Sequence, residues 1–188
     1  MSGAGRACPT LRTERLTLRA HTPADHAASL AMWSNAEVVR HIGGTPLGAE
    51  DVWRRLLSYA GMWSMLGHGY WLVEETTSGR FLGEAGLTEF RRALGPRFDG
   101  TPETGWTLVP AAQGRGYAFE AVSAILAWIE TTLGAARTVC LIAPENAPSL
   151  RLAARLGYRE FERAPYRGNE SVLLERGAVS SELLGPKT

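Results

Sequence analysis

Hydrophobic and polar positions in the first hundred residues change period several times, and each change marks an element. Leu16 and Leu18 alternate with Arg15, Thr17 and Arg19, the period-two pattern of a first strand. His21-Thr22-Pro23-Ala24-Asp25 then places Thr22 at an N-cap and Pro23 at a first helical position, ahead of an alanine-rich helix that runs through Trp33. Asn35 to Leu47 carries Gly43, Gly44 and Pro46 and is read as a loop. A second helix starts near Glu50, with Val52, Leu56, Leu57, Tyr59 and Trp63 on or near one face. Period two returns in Tyr70 to Glu75 and, past Thr77-Ser78-Gly79, in Phe81 to Leu87, which together predict a hairpin. Arg91 to Pro102 reads as a long exposed connection, a lid or a plain surface loop.

The second half predicts a parallel unit. Thr104, Trp106 and Leu108 alternate with Glu103, Gly105 and Thr107 as a strand, and Pro110 ends the ladder by removing a donor. Phe119, Val122, Ile125, Leu126, Ile129 and Leu133 recur at helical spacing from Tyr117 to the stop at Gly134. Thr138 to Ile142 is a continuous apolar run suited to a strand buried on both faces. Strand, helix and buried strand form a βαβ unit, so the sheet is mixed, parallel there and antiparallel at the hairpin. A short helix after Ser149 closes at Gly157, and strand-like segments follow at Tyr158 to Phe161 and Ser171 to Glu175. No internal repeat or linker divides the chain, so the expectation is one α/β domain over 11–176, with flexible tails at 1–10 and 177–188.

Composition narrows the function. At 188 residues and a formal net charge of +1, the chain can bury a real core and offers no strong basic field for nucleic acid or an anionic membrane. Cys8 near the N-terminus reads as an exposed thiol and Cys140 as a buried small hydrophobe, so neither a disulfide nor a metal framework is expected. His21, His26, His41 and His68 lack ligand spacing. Trp33, Trp53 and Trp63 are read as core aromatics. No apolar leader or membrane span is evident, and the default location is the cytoplasm.

The chemistry gathers at Gln113-Gly114-Arg115-Gly116-Tyr117-Ala118, a glycine-rich turn opening the long helix. Backbone N–H groups there lack intrahelical partners, and glycines let the backbone approach a ligand oxygen, so the turn is an anion cradle suited to phosphate. No Gly-Lys-Ser/Thr follows, and Phe119 stands where a third glycine of a dinucleotide fingerprint belongs, which excludes both standard nucleotide motifs.

Several stretches together resemble the GCN5-related N-acetyltransferase (GNAT) superfamily, and within it the branch of ribosomal-protein alanine N-acetyltransferases. They are Leu11 to Arg19, Glu103-Thr104-Gly105-Trp106, the Gln-x-x-Gly-x-Ala loop at Gln113 to Ala118, Asn146-x-x-Ser149, and Leu156-Gly157-Tyr158. The resemblance covers Leu11 to Glu175. It implies a mixed, mostly antiparallel sheet whose central strands splay after a bulge near Leu108 and Val109, with the pantetheine arm of acetyl-CoA in the gap. It further implies that amides around Gln113, Gly114, Arg115, Gly116, Tyr117, Ala118 and Phe119 hold the pyrophosphate, that Asn146 bonds the pantetheine, and that no metal takes part.

The implied reaction is direct attack of a primary amine on the thioester in a ternary complex, with an oxyanion near backbone donors such as Val109. Ala153 stands where many members of the superfamily carry a tyrosine that protonates the thiolate; Ser149 matches the serine of the ribosomal branch, while on its own it also reads as a helix cap. Glu84 and Glu103 are the candidate bases, with Glu103 favoured. The acceptor, a protein N-terminus or a small-molecule amine, stays open, as do monomer and homodimer. A catalytically silent acyl-CoA-binding module is the alternative.

Overall fold

The computed structural model describes residues 7–135 and 137–177; the expected tails fall outside it except for Ala7 to Thr10 and Gly177. In chain order the elements are β1 (Leu11–Arg12), β2 (Leu16–Arg19), α1 (His26–Trp33), α2 (Ala36–Val39), α3 (Ala49–Leu66), β3 (Tyr70–Glu75), β4 (Phe81–Thr88), β5 (Glu103–Leu108), α4 (Tyr117–Leu133), β6 (Arg137–Ile142), α5 (Ala147–Arg155), β7 (Arg159–Tyr166) and β8 (Asn169–Gly177). One eight-stranded sheet runs β1-β2-β3-β4-β5-β6-β8-β7. Its β5–β6 pair is parallel and its other pairs are antiparallel. The mixed single-domain architecture expected from the sequence is the one observed.

The apolar stripe of α4 buries Tyr117, Ala121, Val122, Ile125, Leu126 and Ile129 against Leu18, Trp71, Val73, Ala85, Leu87 and Leu108 from one face of the sheet. Burying each large aliphatic side chain contributes about 1.5–3 kcal/mol, so this layer is the main source of cohesion. The opposite face carries Leu72, Glu84 and Thr107 in register across β3, β4 and β5, and next to them Tyr70, Gly86 and Gly105. The first three helices cover that face around a second cluster of Met32, Trp33, Val38, Val39, Val52 and Leu56.

The structure departs from the sequence reading in local detail. The supposed loop after Asn35 holds α2, whose N-cap is Asn35 itself, its side chain accepting from the Glu37 N–H. At the end of the chain β7 runs on to Tyr166, and only Arg167 and Gly168, both at positive φ, turn the hairpin. Trp33 and Trp63 are core residues as expected, but Trp53 is 39% exposed. Cys8 is not the exposed thiol expected: it packs against the main core, and burial pushes its pKa up to about 12. The neighbouring Pro9 carbonyl accepts from the Trp71 indole at 2.7 Å.

β5 and β6 share one register pair among the described residues, Glu103 with Val139, supported by the Val139 N–H donating to the Pro102 carbonyl at 3.0 Å. Beyond it β6 pairs with β8 along its whole length. The Tyr158 hydroxyl bridges Thr104 Oγ1 (2.8 Å) and Thr138 Oγ1 (2.7 Å), tying the two strands together next to the point where they part.

Candidate active site

The cradle is built as its sequence demands. Gly116 caps α4 at φ +81°, a left-handed conformation that a Cβ disfavours, and the Glu120 N–H is the first to reach an α-helical carbonyl, that of Gly116 at 3.1 Å. The amides from Arg115 to Phe119 are thus the partnerless donors of a helix N-terminus. Gln113, Gly114 and Arg115 are exposed, while Tyr117 is buried beneath them.

Distant contacts hold the turn in place. Arg15 donates to the Arg115 carbonyl (3.0 Å) and to Glu120 Oε2 (2.7 Å), and its backbone N–H reaches Glu120 Oε1 (2.9 Å). Burial alone would raise the Glu120 carboxyl; hydrogen bonds from Thr13 and Arg15 outweigh it and hold the group below the usual carboxylate range. The Tyr117 hydroxyl donates to Glu75 Oε1 at 3.0 Å, and the Gln113 side chain donates to the Leu108 carbonyl at 3.1 Å. Gln113 therefore braces the loop from within.

Val109 is where the implied chemistry needs correction. Its N–H donates to the Leu82 carbonyl (3.0 Å) and its carbonyl accepts from the Ala112 N–H (2.9 Å), so it has no free donor for an oxyanion. In an antiparallel ladder the N–H groups alternate sides. With Val109 turned to β4, the amides of Leu108 and Trp106 face the β6 side, where the strands have separated.

The two candidate bases share a face and differ in surroundings. Glu84 is 1% exposed and accepts from Ser29 Oγ (2.8 Å), Trp33 Nε1 (3.0 Å) and the Tyr59 hydroxyl (2.7 Å). Burial favours its neutral form, but the His21 ring and these donors prevail and keep its pKa below the ordinary value. Glu103 is 6% exposed and clamped by Arg92, with Nε to Oε2 at 2.6 Å and Nη2 to Oε1 at 2.8 Å. There burial prevails over the guanidinium and the carboxyl is pushed up. Arg92 also donates to the Tyr166 hydroxyl and lies over the Phe90 ring at 4.4 Å.

Tyr70 completes this face. It stacks on Tyr59 with ring centroids 5.0 Å apart, and a Cβ on Gly105 would collide with its hydroxyl. The sequence reading missed Tyr70, Arg92 and Tyr166. An isolated glycine within a strand, as at Gly86 and Gly105, is the signal that a side chain crosses close to the backbone.

Across the gap, Asn146 caps α5, its Oδ1 accepting from the Ser149 N–H at 3.2 Å. Asn146, rather than Ser149, is the cap, and the Ser149 hydroxyl has no hydrogen-bond partner among the described residues. Ala153, where a tyrosine is common, is fully buried in the core.

Residues 15–159 match the family model described as the acetyltransferase (GNAT) domain, and the chain belongs to that family. A protein assigned to the GnaT family of acetyltransferases from Bordetella pertussis superposes with a TM-score of 0.80 at 38% identity, covering 90% of this chain and 99% of its own. The uncharacterized N-acetyltransferase p20 of Bacillus licheniformis is 29% identical over 84% of this chain and 90% of its own. The fold likeness extends to the ribosomal-protein-S5-alanine acetyltransferase of Vibrio fischeri, with a TM-score of 0.70 at 18% identity over 92% of this chain and 98% of that one. The protein is an N-acetyltransferase, its family using acetyl-CoA. No helix among the described residues is long and apolar enough to cross a membrane.

Proposed function

We propose that this enzyme transfers acetyl directly to a primary amine that enters over the face of β5 bearing Glu103, Gly105 and Thr107. The observation that carries this reading is the single pair joining β5 to β6, which leaves an open slot between the phosphate cradle and that face. The residues fit acetyl-CoA: partnerless amides from Arg115 to Phe119 suit the pyrophosphate, and unpaired strand groups in the slot suit the amides of the pantetheine arm, with the Asn146 side-chain amide beside it. Bound there, acetyl-CoA supplies an activated thioester.

The chain's own groups do the rest. The amides of Leu108 and Trp106 take the oxyanion role expected of Val109. Ser149, with a free hydroxyl at the start of α5, donates a proton to the departing sulfur; a thiol with a reference pKa of about 8.5 needs only a weak donor. Glu103 accepts the ammonium proton through a water, its raised pKa bringing it closer to the pKa of the group it serves. Steady-state turnover with peptide N-termini, polyamines and amino acids, read by thiol release, tests the reading. Failure of every primary amine to be acetylated would remove it.

A further inference from the structure

Two guanidinium groups reach toward the Tyr70 hydroxyl, which lies over Gly105 on the Glu103 face of β5. Burial and Glu103 push the phenol's pKa up, and Arg55 and Arg92 both oppose that rise. The two differ in what they meet. Arg92 grips both oxygens of Glu103 through Nε and Nη2 and gives Nη1 to the Tyr166 hydroxyl. Arg55, from α3, has no carboxylate partner among the described residues, and residues 1–6 contain neither aspartate nor glutamate.

Arg55 is half-buried and held in position: Nη1 donates to the Tyr59 hydroxyl at 3.3 Å, and the guanidinium lies 4.0 Å from the centre of the Trp33 ring. Burial disfavours its charge, but the Tyr59 hydroxyl and Glu84 behind it prevail and keep the group protonated. Glu84 cannot turn to it, because its oxygens already accept from Ser29, Trp33 and Tyr59. Nε and Nη2 of Arg55 have no acceptor among the described residues and are not among the buried atoms left unpaired, so this edge of the fork reaches the surface. The Tyr70 hydroxyl is in the same state, half-buried on its strand and without a partner among the described residues. Half-desolvated donors without an acceptor are costly, and an anion arriving between them relieves that cost.

We propose that the acceptor amine carries a carboxylate, held by the Arg55 fork with the Tyr70 hydroxyl beside it, which makes the substrate an amino acid rather than a polyamine or a plain amine. The inference rests on the reading that the amine enters over the Gly105 face of β5. The edge offered by Arg55, Nε and Nη2, is the one with which Arg92 holds the Glu103 carboxylate, and it matches two carboxylate oxygens. One fork and one neutral hydroxyl suit a single negative charge. A phosphate dianion would call for a second cation, and Arg92 is already matched to Glu103. A polyamine would bring further positive charge toward Arg55.

The test uses the full-length protein and matched amines: the protein amino acids, β-alanine and γ-aminobutyrate, each beside the amino alcohol of the same skeleton. For each pair kcat/KM is read by thiol release at saturating acetyl-CoA. In the parent at least one amino acid should exceed its alcohol by about tenfold or more, the range of a hydrogen bond to a charged group. Arg55→Gln should bring that ratio close to one, and Arg55→Lys, charged but without the fork, should leave it in between. A ratio within one preparation cancels any general loss of folded enzyme. Alcohols acetylated as well as amino acids by the parent, or a preference that survives in Arg55→Gln, would overturn the carboxylate site while leaving amine transfer intact. Failure of every amine and alcohol would instead remove the reading on which the site rests, and the site with it.

Discussion

Glu84→Gln replaces an oxygen that receives a buried hydrogen bond with an amide group that presents donors to donors. At least one of Ser29, Trp33 and Tyr59 then loses its acceptor, at about 1–3 kcal/mol for each unsatisfied group. For a chain of this length that lowers the melting temperature by roughly 2–10 °C, measurable by calorimetry. Turnover per folded molecule should stay within about threefold, because Glu84 is enclosed and its pKa is held low. Glu103→Gln should cut turnover by about a hundredfold and flatten the acidic limb of the rate profile, which in the parent lies above the ordinary carboxylate range. A larger turnover loss in Glu84→Gln would reverse the assignment. Ser149→Ala should lower kcat more than it raises the KM for acetyl-CoA, as for an interaction made in the transition state. Equal kcat would return that proton to solvent. The sequence placed the two glutamates on neighbouring strands; that they share a face follows from the β4–β5 register, and which of them meets Arg92 and which is enclosed by three donors depends on partners from α1, α3 and the loop before β5.

The cradle can be tested as an element. Gly116 sits at φ +81°, where a β-branched residue is strained by about 1–2 kcal/mol, and a Cβ there would also press on Arg15 Nη2 at 3.3 Å. Gly116→Val should leave a folded protein of reduced stability and weaken acetyl-CoA at least tenfold by isothermal calorimetry; unchanged affinity would remove the cradle from the cofactor site. Elements with one strong period, α4 and the β3–β4 hairpin, were legible to within a residue, as were β5 between Pro102 and Pro110 and the start of α3. The missed elements fall where local signals conflict. A one-turn helix ahead of Gly43 and Gly44 is set by the Asn35 cap and by burial of Val38 and Val39, and the extension of β7 through Pro165 depends on its pairing with Glu170.

At the scale of the whole molecule, the order of the strands was beyond the reach of one sequence. Pairing of β6 with β8 and placement of β7 at an edge are long-range choices, whereas the βαβ unit follows from a local pattern. Side-chain pairs across the molecule predict the response to acid. The carboxyls of Asp25, Glu84, Glu120 and Glu175 all lie below their ordinary values because hydrogen-bond and charge partners outweigh burial; the nearby Arg19 and Thr22 bring Asp25 to about 2. A carboxyl with a lowered folded pKa contributes stability that is fully present above its unfolded value and is lost as pH falls through the folded one. Glu103 acts with the opposite sign, since its raised pKa favours the protonated form in the folded state. With the lowered group in the majority, the melting temperature should be flat near neutrality and fall from about pH 4 toward pH 2. Asp25→Asn should have a lower melting temperature at pH 7, where the Arg19 pair is lost, and a shallower decline in acid, so that the two curves converge near pH 2. Parallel curves across that range, followed by circular dichroism, would show that Asp25 is not among the groups that set the acid limit.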